Sequence, residues 1–241
     1  MSSVSSKRLS LEGVRYFDAH CHCDGLPNLN YQDFVIACVS TDNASARRNL
    51  SLKSERVLVG VAVHPWEVHE EDYARVLELA KEADFVGEIG LDFRFSKASK
   101  ERQAEVLRAF AEAYPDKTFN VHALDAWREA LDLLVKLNVR RAIFHWYSGP
   151  PELLKDIEGA GYFISVNPFV KVQRKHGLAV SRADPSILLT ESDGGYEYRG
   201  VFLKPDMIPE TLEYLANVKG MDVEELRKTV ASNFLKAFQL A

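Results

Sequence analysis

The sequence predicts an α/β fold, a single (β/α)8 barrel, on three observations. Eight short apolar, β-branched runs recur along the 241 residues. Helix-period segments lie between most of them, and histidines and acids gather where the runs end. Nearly continuous apolar strands alternating with amphipathic helices form a parallel sheet covered on its outer face. Eight such units in a chain of this length suit a closed barrel. An open doubly wound sheet is the alternative, but "GEIG" lacks the G-x-G-x-x-G spacing of a dinucleotide site.

In order, the expected strands are "VRYFDAH" (14–20), "DFVIACVS" (33–40), "VLVGVAVH" (57–64), "FVGEIGLD" (85–92), "TFNVHA" (118–123), "RAIFHW" (141–146), "YFISVN" (162–167) and "SILLTESD" (186–193). "EEDYARVLELAKEA" and "KERQAEVLRAFAEAY" carry apolar residues at three- and four-residue spacing, as one helix face requires. "DAWREALDLLVKL" adds an acid in its first turn and Lys136 near its end, complementing the helix dipole. Two terminal helices follow the eighth strand, with Pro209 suited to a first turn and Gly220 to a stop.

Composition narrows the class. Apolar residues make up 46% and charged residues 27%, an ordinary globular balance. The net charge of -5 argues against a broad basic face gripping nucleic acid, though not against an enzyme that visits it. No apolar run approaches the roughly 20 residues of a membrane helix. The polar N-terminus lacks the apolar centre of a secretory signal, so residues 1–12 read as a flexible lead-in to one domain over 1–241. The three cysteines, odd in number and close together, argue against a disulfide framework and for a reducing cytoplasm. A monomer is compatible with all of this.

Chemistry in a barrel of this kind sits at the C-terminal ends of the strands. Those ends carry His20 and His22, His64, Glu88, His122, His145, Asn167 and Asp193, including five of the seven histidines. One such histidine is usually structural. Several, together with two carboxylates on one rim, make a ligand set for divalent transition metals. Buried acids left without partners would be costly.

The stretch "DAHCHCD" (18–24) sharpens this. Alternate side chains of a strand share a face, so His20 and His22 point inward together or Cys21 and Cys23 do, but not all four. The hard ligands elsewhere favour the histidines. Cys21 and Cys23 then read as small apolar fillers, and Asp18 as an acid that holds the histidine pair.

"DAHCHCD", "VAVHPW", "GEIGLDF" followed by "KERQAEV", "NVHALDA", "FHWYSG", "LLTESDGG" and "ASNFLKAF" together resemble the TatD-type metal-dependent deoxyribonucleases, within the metal-dependent hydrolase superfamily. The resemblance spans nearly the whole chain. It implies a barrel with two divalent cations (zinc, manganese, magnesium, nickel or cobalt). His20, His22 and Asp193 would hold one cation and His122 and His145 the other, with Glu88 bridging them. His64 would contact the substrate phosphate or the attacking water, and Asp193 could also take the proton from that water. The implied substrate is a DNA phosphodiester. Four histidines by themselves favour zinc, nickel, cobalt or manganese over magnesium.

Three departures alter the substrate-gripping residues. "HPW" puts Trp66 where the family has a second histidine. "HAL" puts Leu124 where it has an arginine. "ESDGG" puts Gly195 where it has a proline. They keep a second substrate class open, a small ester, amide, lactone or non-nucleic phosphoester. A metal-binding scaffold without catalysis is a third reading, opposed by the complete ligand set. Candidate substrate contacts are His64, Trp66, Arg94 and Trp146, with Tyr147 as a further ring able to stack a base. Basic clusters also follow the fourth strand (Lys97, Lys100) and the seventh (Lys171, Arg174, Lys175, His176). His69, in the acidic run "EVHEED", reads as a surface residue.

Overall fold

Eight parallel strands close on themselves through two seams. The computed structural model describes residues 11–240, so the expected lead-in lies outside the described residues except for the exposed Leu11 and Glu12. Strands β1 (Tyr16–Cys21), β2 (Phe34–Cys38) and β3 (Val57–Val59) pair in that order. Strands β4 (Val86–Asp92), β5 (Phe119–Leu124), β6 (Ala142–Phe144), β7 (Phe163–Val166) and β8 (Leu188–Thr190) form the second parallel run. A parallel bridge from Gly60 to Phe85 joins β3 to β4. The other seam joins β1 to the segment after β8 through a Cys21–Gly194 bridge. There the Asp193 amide donates to the His20 carbonyl at 2.9 Å and the His22 amide to the Gly194 carbonyl at 2.7 Å. The fold is therefore the closed α/β barrel expected, not the open sheet.

Helices α1 (Asn43–Leu52), α2 (Tyr73–Leu79), α3 (Lys100–Ala113), α4 (Trp127–Lys136), α5 (Leu154–Gly159), α6 (Arg174–Arg182), α7 (Ile208–Lys219) and α8 (Val223–Ala237) complete the units. Gly220 ends α7 in the left-handed conformation, φ 62°, where the missing Cβ removes the strain. Several strands are shorter than their apolar runs. The third stops at Val59, although residues 60–64 stay buried. Burial made that run apolar, while ladder pairing gave way to the bridge at Gly60.

Phe17, Val35, Leu58, Phe85, Ile143 and Leu189 form one buried cluster with Phe234 and Phe238 of α8. Side chains from strands all round the ring meet only inside it. Phe17 lies against Phe234 at 5.0 Å and Phe85 against Phe238 at 5.1 Å, so α8 plugs the end where the strands begin. The opposite mouth is left for polar groups.

One expectation fails here. Cys23 and Cys38 form a disulfide, with Cα atoms 5.3 Å apart, against the expectation of none, and Cys23 is not the simple filler expected. Cys38 ends β2, the strand beside β1, and the turn after His22 brings Cys23 across to it. Linear spacing did not reveal that adjacency. Cys21 is the free cysteine and is fully buried in the main core, as a filler should be.

Candidate metal centre

Each ligand candidate reaches the open mouth for a local reason. The pairing of β1 with β2 shifts register between Asp18 and Cys21. A bulge of this sort re-aims side chains, and His20 and His22 end with their Nε2 atoms 3.4 Å apart. Gly90, with φ 148°, lets β4 run against β5. A Cβ there would lie 1.9 Å from the His122 carbonyl oxygen. Asp193 adopts φ 52°, a left-handed conformation that Asp tolerates better than most residues. Asp18 is fully buried, its pKa raised by that burial to about 7. It accepts from the His20 and Ser192 amides at 3.2 and 2.9 Å, fixing the backbone before both ligands.

Glu88 lies at the centre, and its two oxygens face different partners. Oε2 stands 3.5 Å from His20 Nε2 and 3.6 Å from His22 Nε2. Those two nitrogens are 3.4 and 3.2 Å from Asp193 Oδ1. Oε1 stands 2.9 Å from His145 Nε2, 3.1 Å from His122 Nδ1 and 3.3 Å from His64 Nε2. Ligands about 2.0–2.1 Å from a common centre stand roughly 3.0–3.4 Å from each other. The distances in both donor sets, 2.9 to 3.6 Å, lie close to that spacing.

The outer contacts set which ring nitrogens carry protons. His20 Nδ1 donates to Asn120 Oδ1 at 2.7 Å, while the Asn120 amide donates to the Ala19 carbonyl at 2.7 Å and so fixes its own orientation. The His20 Nε2 lone pair therefore faces Asp193 and Glu88. His122 Nε2 donates to Asp92 Oδ2 at 3.0 Å, leaving its Nδ1 lone pair for the centre. His64 is the reverse. Its Nδ1 accepts from the Trp66 amide at 3.2 Å, so Nε2 carries the proton towards Glu88. Burial lowers the His64 pKa to about 4 against the pull of Glu88, which keeps the ring neutral.

Burial by itself would raise the carboxylate pKa values, but the surrounding imidazoles hold Glu88 and Asp193 well below the usual range. Burial would likewise lower His145, and Glu88 and Glu191 outweigh it. Asp193 Oδ1 is nevertheless buried with no hydrogen-bond partner among the described residues. Carboxylate oxygens and ring nitrogens that converge in this way are what a divalent cation requires. The residues present fit metal ions, and three overlapping His/Glu/Asp groups have ligand atoms within 4.8 Å of one another.

Several of the remaining sequence candidates lie elsewhere or do something else. Arg94, at the rim, is held bidentately by Asp125 at 2.7 and 2.8 Å. Trp66 donates its indole N–H to Asp92 at 2.6 Å and thereby braces His122. Trp146 follows His145 directly, with its amide on Glu191 Oε2 at 3.2 Å. Tyr147 is not available to a substrate: it is fully buried and bonded to the Pro150 carbonyl at 2.7 Å. Neither is His176, whose two nitrogens bridge the Tyr147 carbonyl and the Asn167 amide inside the protein. Asn167 caps a short helical turn by accepting from the Phe169 amide. His69 is exposed, as expected.

Gly195 explains the absent proline. Its φ of 85° is closed to a pyrrolidine ring, and a Cβ would lie 2.1 Å from the His22 carbonyl oxygen.

Sequence reasoning passed over Asp92 and Glu191. Both are buried acids at strand ends, Asp92 behind His122 and Glu191 behind His145, the latter 3.7 Å from Nδ1 and bonded to Ser165. "GLDF" and "TESD" each hold a second acid that could have been counted. Asp92→Asn is expected to weaken metal binding and activity about 10- to 100-fold, the usual cost of losing such a support. Metal titration of the stripped protein checks it, and wild-type affinity in the variant would show that Asp92 does not orient His122.

A model of the family described as TatD-related DNase matches residues 17–239. An uncharacterized metal-dependent hydrolase of Methanocaldococcus jannaschii is 27% identical, the match covering 95% of this chain and 99% of that one. The human protein named deoxyribonuclease TATDN3 is 28% identical over 94% of this chain and 95% of its own. In three dimensions, a TatD homolog from Escherichia coli K12 aligns with a TM-score of 0.82 at 20% identity, covering 93% of this chain and 98% of that one. A TatD-family hydrolase from Entamoeba histolytica aligns with a TM-score of 0.75 at 16% identity, covering 92% and 97%. These last two are likenesses of fold.

Proposed function

Because the chain belongs to the TatD-related DNase family, whose relatives here are metal-dependent hydrolases, we propose that it hydrolyses DNA phosphodiester bonds at a pair of divalent cations, as one domain over residues 1–241. The observation that carries this reading is the division of Glu88, one oxygen facing His20 and His22 and the other facing His122 and His145.

Bound divalent cations would lower the pKa of a water toward ~7 and neutralise charge on the phosphoryl oxygens. The protein supplies the rest. Glu88 sets the separation of the two donor sets. Asp193, kept ionised, takes the proton from the attacking water. His64, neutral and carrying its proton on Nε2, donates to a phosphoryl oxygen. Trp66, Arg94 and Trp146 line the rim on which a strand would lie. Among the described residues no helix is long and apolar enough to cross a membrane, and the centre opens at the strand ends.

The small-ester reading draws support from Leu124 and from Arg94, whose guanidinium is already paired with Asp125. One experiment separates the two. Chelated protein is reloaded in turn with zinc, manganese, magnesium, nickel or cobalt, then given a single-stranded oligonucleotide and p-nitrophenyl phosphate. The strand is expected to shorten with metal and to stay intact with EDTA. An intact strand beside a cleaved p-nitrophenyl ester would replace the deoxyribonuclease reading with the second one.

A further inference from the structure

Beyond Asp193 the chain does not run straight into α7. It first forms an antiparallel hairpin, β9 (Glu197–Tyr198) with β10 (Val201–Phe202). Tyr196, at its base, is 38% exposed, and its ring centroid lies 6.5 Å from that of His22. Tyr198 meets Trp146 edge-on at 5.0 Å and Phe169 edge-on at 4.8 Å. Trp146 and Phe169 have ring centroids 6.1 Å apart and planes inclined at 29°. Gln173 ties the group together: its Oε1 accepts from the Trp146 indole at 2.8 Å and its Nε2 donates to the Tyr198 hydroxyl at 2.9 Å. The Arg199 guanidinium lies over the Tyr198 ring at 5.3 Å.

We propose that Tyr196, Tyr198, Trp146 and Phe169 form a stacking subsite for an unpaired nucleobase next to the scissile phosphate. This rests on the deoxyribonuclease reading and adds where the strand is held. The rings reach towards the metal centre from two sides, Tyr196 beside His22 and Trp146 next in the chain to His145. Gln173 locks two of them in place, so little side-chain freedom is lost on binding. Trp146 has a single donor and Gln173 consumes it, so the indole offers a face rather than a hydrogen-bonding edge. A base is then held by its π surface, which every base has, and recognition tolerates sequence. Arg199 places positive charge where the adjoining phosphate of the same strand would run. This balance of rings over free cations suits a chain whose rim arginine, Arg94, is already paired.

The test compares a fluorescein-labelled single strand with the same strand carrying abasic residues around the cleavage position. Binding is read by anisotropy and cleavage by gel, on metal-loaded protein. The base-bearing strand is expected to have a KM roughly 5- to 150-fold below that of the abasic strand. Tyr196→Ala should shrink that ratio and Tyr196→Phe should keep it, since the phenyl face remains. Tyr196 is exposed, so neither change threatens the fold. A second variant, Trp146→Ala, should shrink the ratio further. Equal KM values for the two strands, or a ratio unchanged in Tyr196→Ala, overturn the subsite while cleavage keeps the deoxyribonuclease reading alive. Base-dependent binding without cleavage upholds the subsite and ends that reading. Neither binding nor cleavage overturns both.

Discussion

Replacing Glu88 with glutamine is expected to cut hydrolysis by about 10^3-fold and to leave at most one cation bound. The argument is geometric. Glu88 is the residue whose two oxygens serve both donor sets, with contacts of 2.9 to 3.6 Å to five imidazoles. Glutamine keeps the shape but offers one oxygen and turns an N–H2 towards the other set. Losing an outer support already costs about 10- to 100-fold in affinity, so losing the bridge should exceed that. Losing one preorganised electrostatic group costs about 10^2 to 10^3 in rate. Elemental analysis of the purified protein alongside an oligonucleotide assay checks both. Two bound cations in the variant would sink the bridging role.

The chelated protein offers an independent reading of the same residue. His122 and His145 have raised pKa values because Asp92 with Glu88 outweighs the burial of the first, and Glu88 with Glu191 that of the second. Protonation of these rings therefore stabilises the metal-free fold below the ordinary imidazole range. That stability fades as the pH rises through the raised values. At the acid end it is limited by protonation of Glu88, whose own pKa is depressed. Glu88→Gln should destabilise the metal-free protein more near pH 6 than near pH 9, as thermal melts would show.

The barrel was legible because burial imposes a pattern. Strands covered on the outside and packed within are apolar throughout, and a polar residue at the end of such a run signals an exit into solvent or into a site. His20, His122, His145 and Asp193 follow that rule, whereas Glu88, counted with the strand ends in the sequence, lies inside β4 and is exceptional as a buried acid within an apolar strand. What stayed hidden depends on contacts between elements. Cys38 meets Cys23 only because β2 lies beside β1. His176 resembles a loop cation in the run "RKH" but turns inward from α6 to join two backbone groups. Asp92 looks like a strand-terminating acid until His122 and Trp66 are seen on its Oδ2. The β9–β10 hairpin rests on two-residue strands, too short for any period to show.

Asp193→Asn is the second large loss, and the fold should survive it. Asn tolerates the left-handed φ of 52° at this position as well as Asp does. The backbone seam is also independent of the side chain, since it is the Asp193 amide that bonds the His20 carbonyl. What changes is charge and a lone pair. Oδ1 faces His20 and His22 Nε2 at 3.4 and 3.2 Å with no hydrogen-bond partner among the described residues, and an amide nitrogen there would present hydrogens where a cation belongs. The carboxylate that would accept the water proton is also gone. General-base losses run to about 10^2–10^4 in rate, so activity should fall at least 10^3-fold with an unchanged circular dichroism spectrum. The fall should be equal for DNA and for a small phosphoester, because the water and its base serve either substrate. If DNA cleavage alone disappears, Asp193 grips the strand instead of acting on water. If more than about a tenth of the rate remains on both, the proton goes to another group.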